Sequence, residues 1–153
     1  MDRPAETVVV IGFGKIASDV LGYLSGQRIY WGYELQFIEF EPYPTSRIEK
    51  FCFENRITFL RLHDKEGVTR KLETYEKRTM VVSAGNKYLF PSHIIQKENL
   101  TIINFHNALL PHFPGRNAPS WAIWAGAGES GATWHLVSEG VDEGDCLWQK
   151  ACA

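Results

Sequence analysis

The sequence predicts an α/β fold, a doubly wound and mainly parallel sheet that ends in an antiparallel C-terminal strand pair. Three observations predict it. Apolar, β-branched runs alternate with helical spacings along the chain. The first run closes in a glycine turn that opens a helix. Repeated strand–helix–strand units with right-handed crossovers assemble into parallel sheets covered by helices.

Thr7–Gly12 (TVVVIG) is a continuous β-branched run, the pattern of a strand buried on both faces. Ile16, Val20, Leu21 and Leu24 then recur at helical spacing and predict a helix through Ser25. Tyr33–Phe40 is the second strand, closed by Glu-Pro-Tyr-Pro. Ser46 can cap a short helix to Asn55 that turns Ile48, Phe51 and Cys52 inward. Ile57–Leu62 reads as a strand, Glu66–Glu76 as a polar helix and Thr79–Ser83 as a strand. Pro91 suits the first turn of a helix over Pro91–Lys97. Leu100–Phe105 is a strand and Ala118–Ala127 a helix with proline near its start. Ala132–Val137 and Cys146–Lys150 form the final pair, joined by an acidic, glycine-rich turn.

At 153 residues the chain fits one domain. Its 16 basic and 18 acidic side chains leave a net charge of −2, so bulk charge supplies no argument for nucleic acid or membrane partners. Cys52, Cys146 and Cys152 have neither zinc-knuckle spacing nor an even count for a disulfide framework. Neither a signal peptide nor a run of the ~20 apolar residues that span a bilayer is visible, and the expected setting is cytoplasmic. Only 7 of the 34 charged side chains fall after Leu100, where four of the five tryptophans lie. That contrast fits a packed, pocket-lining C-terminal region and a merely more buried one alike.

Gly12-Phe13-Gly14-Lys15-Ile16-Ala17 partly matches the glycine pattern that brings backbone amides to a phosphate at a helix N-terminus. It reads first as a tight turn that needs glycine for its backbone angles, and second as a phosphate cradle, with Gly12 and Gly14 as candidate substrate-binding residues. Glu39 or Glu41 could meet a ribose, although both come later than the usual ~20-residue offset.

Chemistry concentrates in Ile103–Gly115 (INFHNALLPHFPG) and in the later GATWHLVSEGVDEGD. Asn104 and His106, two apart at a strand's C-terminal end, project on one face and can aim two N–H groups at one shared atom. Converging donors of this kind stabilise an oxyanion. Asp142 supplies a carboxylate that can fold back over the same edge. His135 reads as a strand residue beneath the site rather than a participant, and no metal site is expected.

These residues resemble the catalytic domain of the formyltransferases that use 10-formyltetrahydrofolate. The family pattern is Asn-x-His, Leu-Leu-Pro with a nearby glycine, and a later Asp-x-Gly turn. Here it reads Asn104-Phe105-His106, Leu109-Leu110-Pro111, Gly115 and Asp142-Glu143-Gly144. The match covers residues 101–150 well and 79–92 more loosely. In motif it is nearest to the sugar-nucleotide N-formyltransferases and methionyl-tRNA formyltransferase.

The resemblance implies a single catalytic domain, with Asn104, His106 and Asp142 as its triad and a cis Leu110–Pro111 bond. It implies formyl transfer from 10-formyltetrahydrofolate, the co-substrate, to a primary amine of a small substrate through a tetrahedral intermediate. Ser83, Gly85, Leu89, Phe90, Val137 and Glu139 would line the folate. Arg116 is the one cation between Thr101 and Gln149, and its planar fork could pair with a phosphate. The run around it looks closer to the sugar-nucleotide enzymes and points to an aminosugar nucleotide; no basic stripe follows for a tRNA. Family domains continue past the strand matching Cys146–Lys150, so this chain is expected to lack their C-terminal end. Two other activities remain open, hydrolysis of 10-formyltetrahydrofolate and a nucleotide-binding module without acyl transfer. Homodimerisation is open as well.

Overall fold

The computed structural model describes residues 4–40 and 47–152. The chain divides into two compact units, residues 1–101 and 102–153.

In the first unit, β1 (Thr7–Gly12), β2 (Glu34–Phe40), β3 (Thr58–Leu62) and β4 (Thr79–Ala84) pair in parallel in the order β3-β2-β1-β4. The order reverses at β1, which is the doubly wound arrangement the alternating pattern predicted. Every residue of β1 is buried, and Val9, Val10 and Ile11 are wholly inaccessible. Val, Ile and Leu side chains buried this way contribute ~1.5–3 kcal/mol each relative to exposure. Ala17 and Leu21 of α1 (Gly14–Trp31) and Val68 and Leu72 of α3 (Lys65–Glu73) complete this core.

Helix α1 runs six residues beyond the predicted Ser25. Its last turns expose Ile29, Tyr30 and Trp31, so no apolar period marks them in the sequence. The helix stops at Gly32, whose left-handed backbone (φ 70°) lets its N–H reach the Arg28 carbonyl. Helix α2 spans Arg47–Glu54, and its expected cap Ser46, like Glu41, lies outside the described residues. Helix α3 starts with Asp64, whose carboxylate accepts the Gly67 N–H. Helix α4 is shorter than predicted, Ser92–Ile95.

Glu39 does not remain available for a ribose. Only 1% exposed, it faces Arg61 across the β2–β3 register, and Arg61 Nε donates to its carboxylate at 2.7 Å. The same guanidinium holds Glu49 at 2.7 Å.

The second unit holds most of β5 (Leu100–His106), then α5 (Ala118–Trp124), β6 (Ser130–Leu136) and β7 (Cys146–Cys152). Strands β6 and β7 are antiparallel as predicted, and β5 and β6 are antiparallel too. Helix α5 ends three residues before the predicted Ala127, where Gly126 turns to φ 66° and its N–H bonds the Ile123 carbonyl.

Candidate active site

The site is built on the β5–β6 ladder of the second unit. Its register sets Asn104 opposite His135 and His106 opposite Thr133, while Phe105 meets Trp134. Opposed residues of an antiparallel pair share a face. The aromatic pair therefore packs on one side, with ring centroids 5.2 Å apart, and the four polar residues share the other.

Asp142 closes that polar face. Beyond β6 the chain is drawn back by bonds from Val137 N–H to the Ile102 carbonyl and from Leu136 N–H to the Asp145 carbonyl, both 2.9 Å. Gly144 permits the turn, since a Cβ there would stand 1.7 Å from the Leu136 carbonyl oxygen. Asp142 itself takes the left-handed conformation (φ 56°), which aspartate tolerates better than most residues.

Its carboxylate gathers four groups. Oδ2 accepts the Gly115 N–H at 2.7 Å and lies 3.3 Å from His106 Nδ1. Oδ1 accepts from Asn104 Nδ2 at 3.5 Å and lies 3.3 Å from His135 Nε2. Asn104 Nδ2 is also 3.1 Å from His135 Nε2. Side-chain exposure is 10% for Asp142, 7% for His106 and 2% for His135, so little solvent screens the cluster.

Two titrations respond. Burial pulls His135 down, but its hydrogen bond to Asp142, the Leu136 carbonyl at Nδ1 and the Asp142 charge together carry it above its ordinary value. Burial pushes Asp142 up, yet the His135 hydrogen bond, the Gly115 N–H and the charges of His106 and His135 hold it below the usual carboxylate range.

The loop after β5 fixes the remaining contacts. The Leu110–Pro111 bond is cis. Phe113, left-handed at φ 54°, turns its carbonyl to accept from His106 Nε2 at 2.8 Å. Both His106 nitrogens therefore have partners within the protein, and Asn104 Nδ2 and His106 Nδ1 both lie against the Asp142 carboxylate. Arg116 is exposed and makes no hydrogen bond or ion pair among the described residues.

The structure also sets His135 against the proposed triad, its Nε2 3.1 Å from Asn104 Nδ2 and 3.3 Å from Asp142 Oδ1. Only the β5–β6 register brings it there, and a sequence separation of 31 residues from Asn104 hides that register. Among the described residues no group of histidines, cysteines and carboxylates is arranged to hold a metal, and no helix is long and apolar enough to cross a membrane.

In the first unit, Gly12 and Gly85 meet at the ends of β1 and β4. A Cβ on Gly12 would lie 1.8 Å from the Ala84 carbonyl oxygen, and one on Gly85 would lie 2.9 Å from the Phe13 carbonyl oxygen. Ser83 is buried beside them, and its Oγ accepts from Asn86 Nδ2 at 3.3 Å. Gly14 opens α1 at φ 73°. Phe90 packs edge-on against Tyr88, with centroids 5.1 Å apart, whereas Leu89 is 65% exposed. In the second unit Val137 is half-buried and its N–H is spent on Ile102, while Glu139 is exposed.

Comparison with known proteins gives concordant results. A family model for formyl transferase matches residues 43–153. The phosphoribosylglycinamide formyltransferase of Bacillus subtilis is 33% identical over 108 residues, 71% of this chain and 52% of that protein. The chain thus spans about half the length of that relative. The methionyl-tRNA formyltransferase of Lachnospira eligens is 37% identical over 82 residues, 54% of this chain and 26% of that protein. Among solved structures, glycinamide ribonucleotide transformylase 1 from Symbiobacterium toebii has a TM-score of 0.78 at 24% identity, covering 97% of this chain and 73% of that one. That likeness is one of fold: α/β, mainly parallel, with antiparallel strands at the C-terminal end.

Proposed function

Since the chain belongs to the formyl transferase family, we propose that it transfers a formyl group from 10-formyltetrahydrofolate to a primary amine of a small, phosphate-bearing substrate. The observation that carries this reading is the convergence of Asn104, His106 and His135 on the Asp142 carboxylate.

In this reading a neutral amine attacks the formyl carbon and a C–N bond forms. The carbonyl oxygen becomes an oxyanion, and the amine sheds a proton to Asp142. Neutralising the carboxylate loosens its hold on the Asn104 amide, whose N–H then turns to the oxyanion, while the Phe113 carbonyl keeps the His106 ring in place beside it. Collapse breaks the bond to the folate nitrogen, which leaves with the proton. Burial pulls His135 down, but its hydrogen bond to Asp142 holds it above its ordinary value, 3.3 Å from the carboxylate that takes the proton.

Candidate folate contacts are Ser83, Gly85, Leu89 and Phe90 in the first unit and, separately, Val137 and Glu139 in the second. The acceptor's phosphate falls to Arg116 in the second unit; in the first, the turn at Gly12 and Gly14 is a candidate substrate contact by its own geometry. That turn opens an 18-residue helix with no side-chain cap and no acidic residue in its first turn, so its amides and dipole suit an anion. Phosphoribosylglycinamide, after the Bacillus relative, and an aminosugar nucleotide both offer an amine and a phosphate. The ion pair that occupies Glu39 argues against a dinucleotide module. We assign the reaction to the cytoplasm and a small-molecule acceptor.

The test incubates the chain with 10-formyltetrahydrofolate and each amine in turn. Formylated amine is the expected product. Formate release that proceeds equally without amine makes the protein a hydrolase, and consumption of neither substrate overturns the reading.

A further inference from the structure

Strand β7 is exposed along its whole length, yet one of its side chains reaches inward. Gln149 Nε2 donates to the Leu110 carbonyl at 2.7 Å and to Thr133 Oγ1 at 2.9 Å. Thr133, wholly buried and opposite Gln149 in the β6–β7 register, donates from Oγ1 to the Ala108 carbonyl at 2.7 Å and accepts the Leu110 N–H at 3.2 Å. The two side chains thus pin three backbone groups of the loop that follows β5. Pro111 has no N–H to give, and the next bond runs from His112 N–H to the Leu109 carbonyl at 2.9 Å.

A few residues further on, the same loop delivers the Phe113 carbonyl to His106 Nε2 and the Gly115 N–H to Asp142 Oδ2. Neither group comes from a regular element, so their positions depend on how the loop is held. We propose that Gln149 is a positioning residue for the reaction: through Thr133 and Leu110 it fixes the loop that orients the His106 ring and the Asp142 carboxylate. The inference deepens the formyl-transfer reading and rests on it for its kinetic consequence. Its structural consequence stands independently.

Two variants remove the donor while keeping the length of the side chain, Gln149→Glu and Gln149→Met; the second controls for the added charge. The position is exposed, where substitutions usually leave stability within about 0.5 kcal/mol. Misplacing catalytic groups by even about 1 Å can cost on the order of 100-fold in rate. Both variants are expected to lower kcat on the order of 10–100-fold while leaving KM for both substrates unaltered. Nitrogen-15 NMR should show the His106 Nε2 and Gly115 amide resonances shifted in both, and Thr133→Ser, which keeps the hydroxyl, should retain the wild-type values.

Wild-type kcat in Gln149→Met, or His106 and Gly115 resonances that do not move, would overturn the proposal. If the unmodified chain transfers no formyl group, the formyl-transfer reading fails instead, and the resonances still decide whether Gln149 positions the loop.

Discussion

Asn104 and Asp142 differ in what their loss removes. Asn104→Ala deletes a donor that the proposed oxyanion needs, and losing one such donor typically costs ~2.7–4 kcal/mol in the barrier. Turnover should therefore fall roughly 100- to 1,000-fold while circular dichroism stays native. Asp142→Asn keeps the shape but cannot take up the amine's proton, and a loss of roughly 100- to 10,000-fold is expected. Steady-state kinetics on either variant checks the triad, and retained turnover contradicts it. Arg116, exposed and without a protein partner among the described residues, is the proposed contact to the acceptor's phosphate. Arg116→Ala should raise KM for the phosphate-bearing amine and leave the affinity for a folate analogue unchanged. An unaltered KM removes Arg116 from the site.

The turn between β6 and β7 is where backbone geometry most directly sets chemistry. Gly144 allows the chain to pass the Leu136 carbonyl, and Asp142 sits two residues before it. Gly144→Ala would place a methyl group on that carbonyl, so the turn must open and carry the carboxylate away from Gly115 and His135. Activity should fall nearly as far as in Asp142→Asn, with a loss of stability of about 1–3 kcal/mol by urea titration. Wild-type activity in this variant would show that the turn tolerates opening. At this scale the sequence was legible where signals are local. The β1 run, the tight glycine turn that opens α1 and the shared face of Asn104 and His106 were legible because adjacency in the chain is adjacency in space. The far end of α1 was not legible, because its exposed Ile29, Tyr30 and Trp31 carry no burial period and only Gly32 marks the stop. Nor was the place of Glu39, which depends on the strand that pairs beside it.

Across the whole molecule, the Asp142–His135 pair couples stability to pH. Asp142 is held below its ordinary 3.8, so its contribution is complete above that value and drains away as pH falls through the lower folded pKa. His135 is held above its ordinary 6.5, so its contribution is complete below that value and is lost as pH rises through the higher folded pKa. The pair supports the fold fully between those two ordinary values. Urea unfolding across pH should show stability falling on both sides of this window, and Asp142→Asn should flatten both limbs. A variant that keeps the wild-type pH dependence would place its origin elsewhere.

The sequence by itself determined the order of strands and helices, the α/β class and the proposed triad's place at the end of β5 and in the turn after β6. Each of these rests on side chains within a few positions of one another, where spacing and burial act directly. Only the tertiary structure decided that His135 lies against Asn104 and Asp142, that Arg61 occupies Glu39, and that Asn104 and His106 both border the Asp142 carboxylate. Those outcomes depend on which strands lie side by side and in what register. Pairing of that kind follows from burying whole faces of the sheet, a property no short stretch of the chain contains.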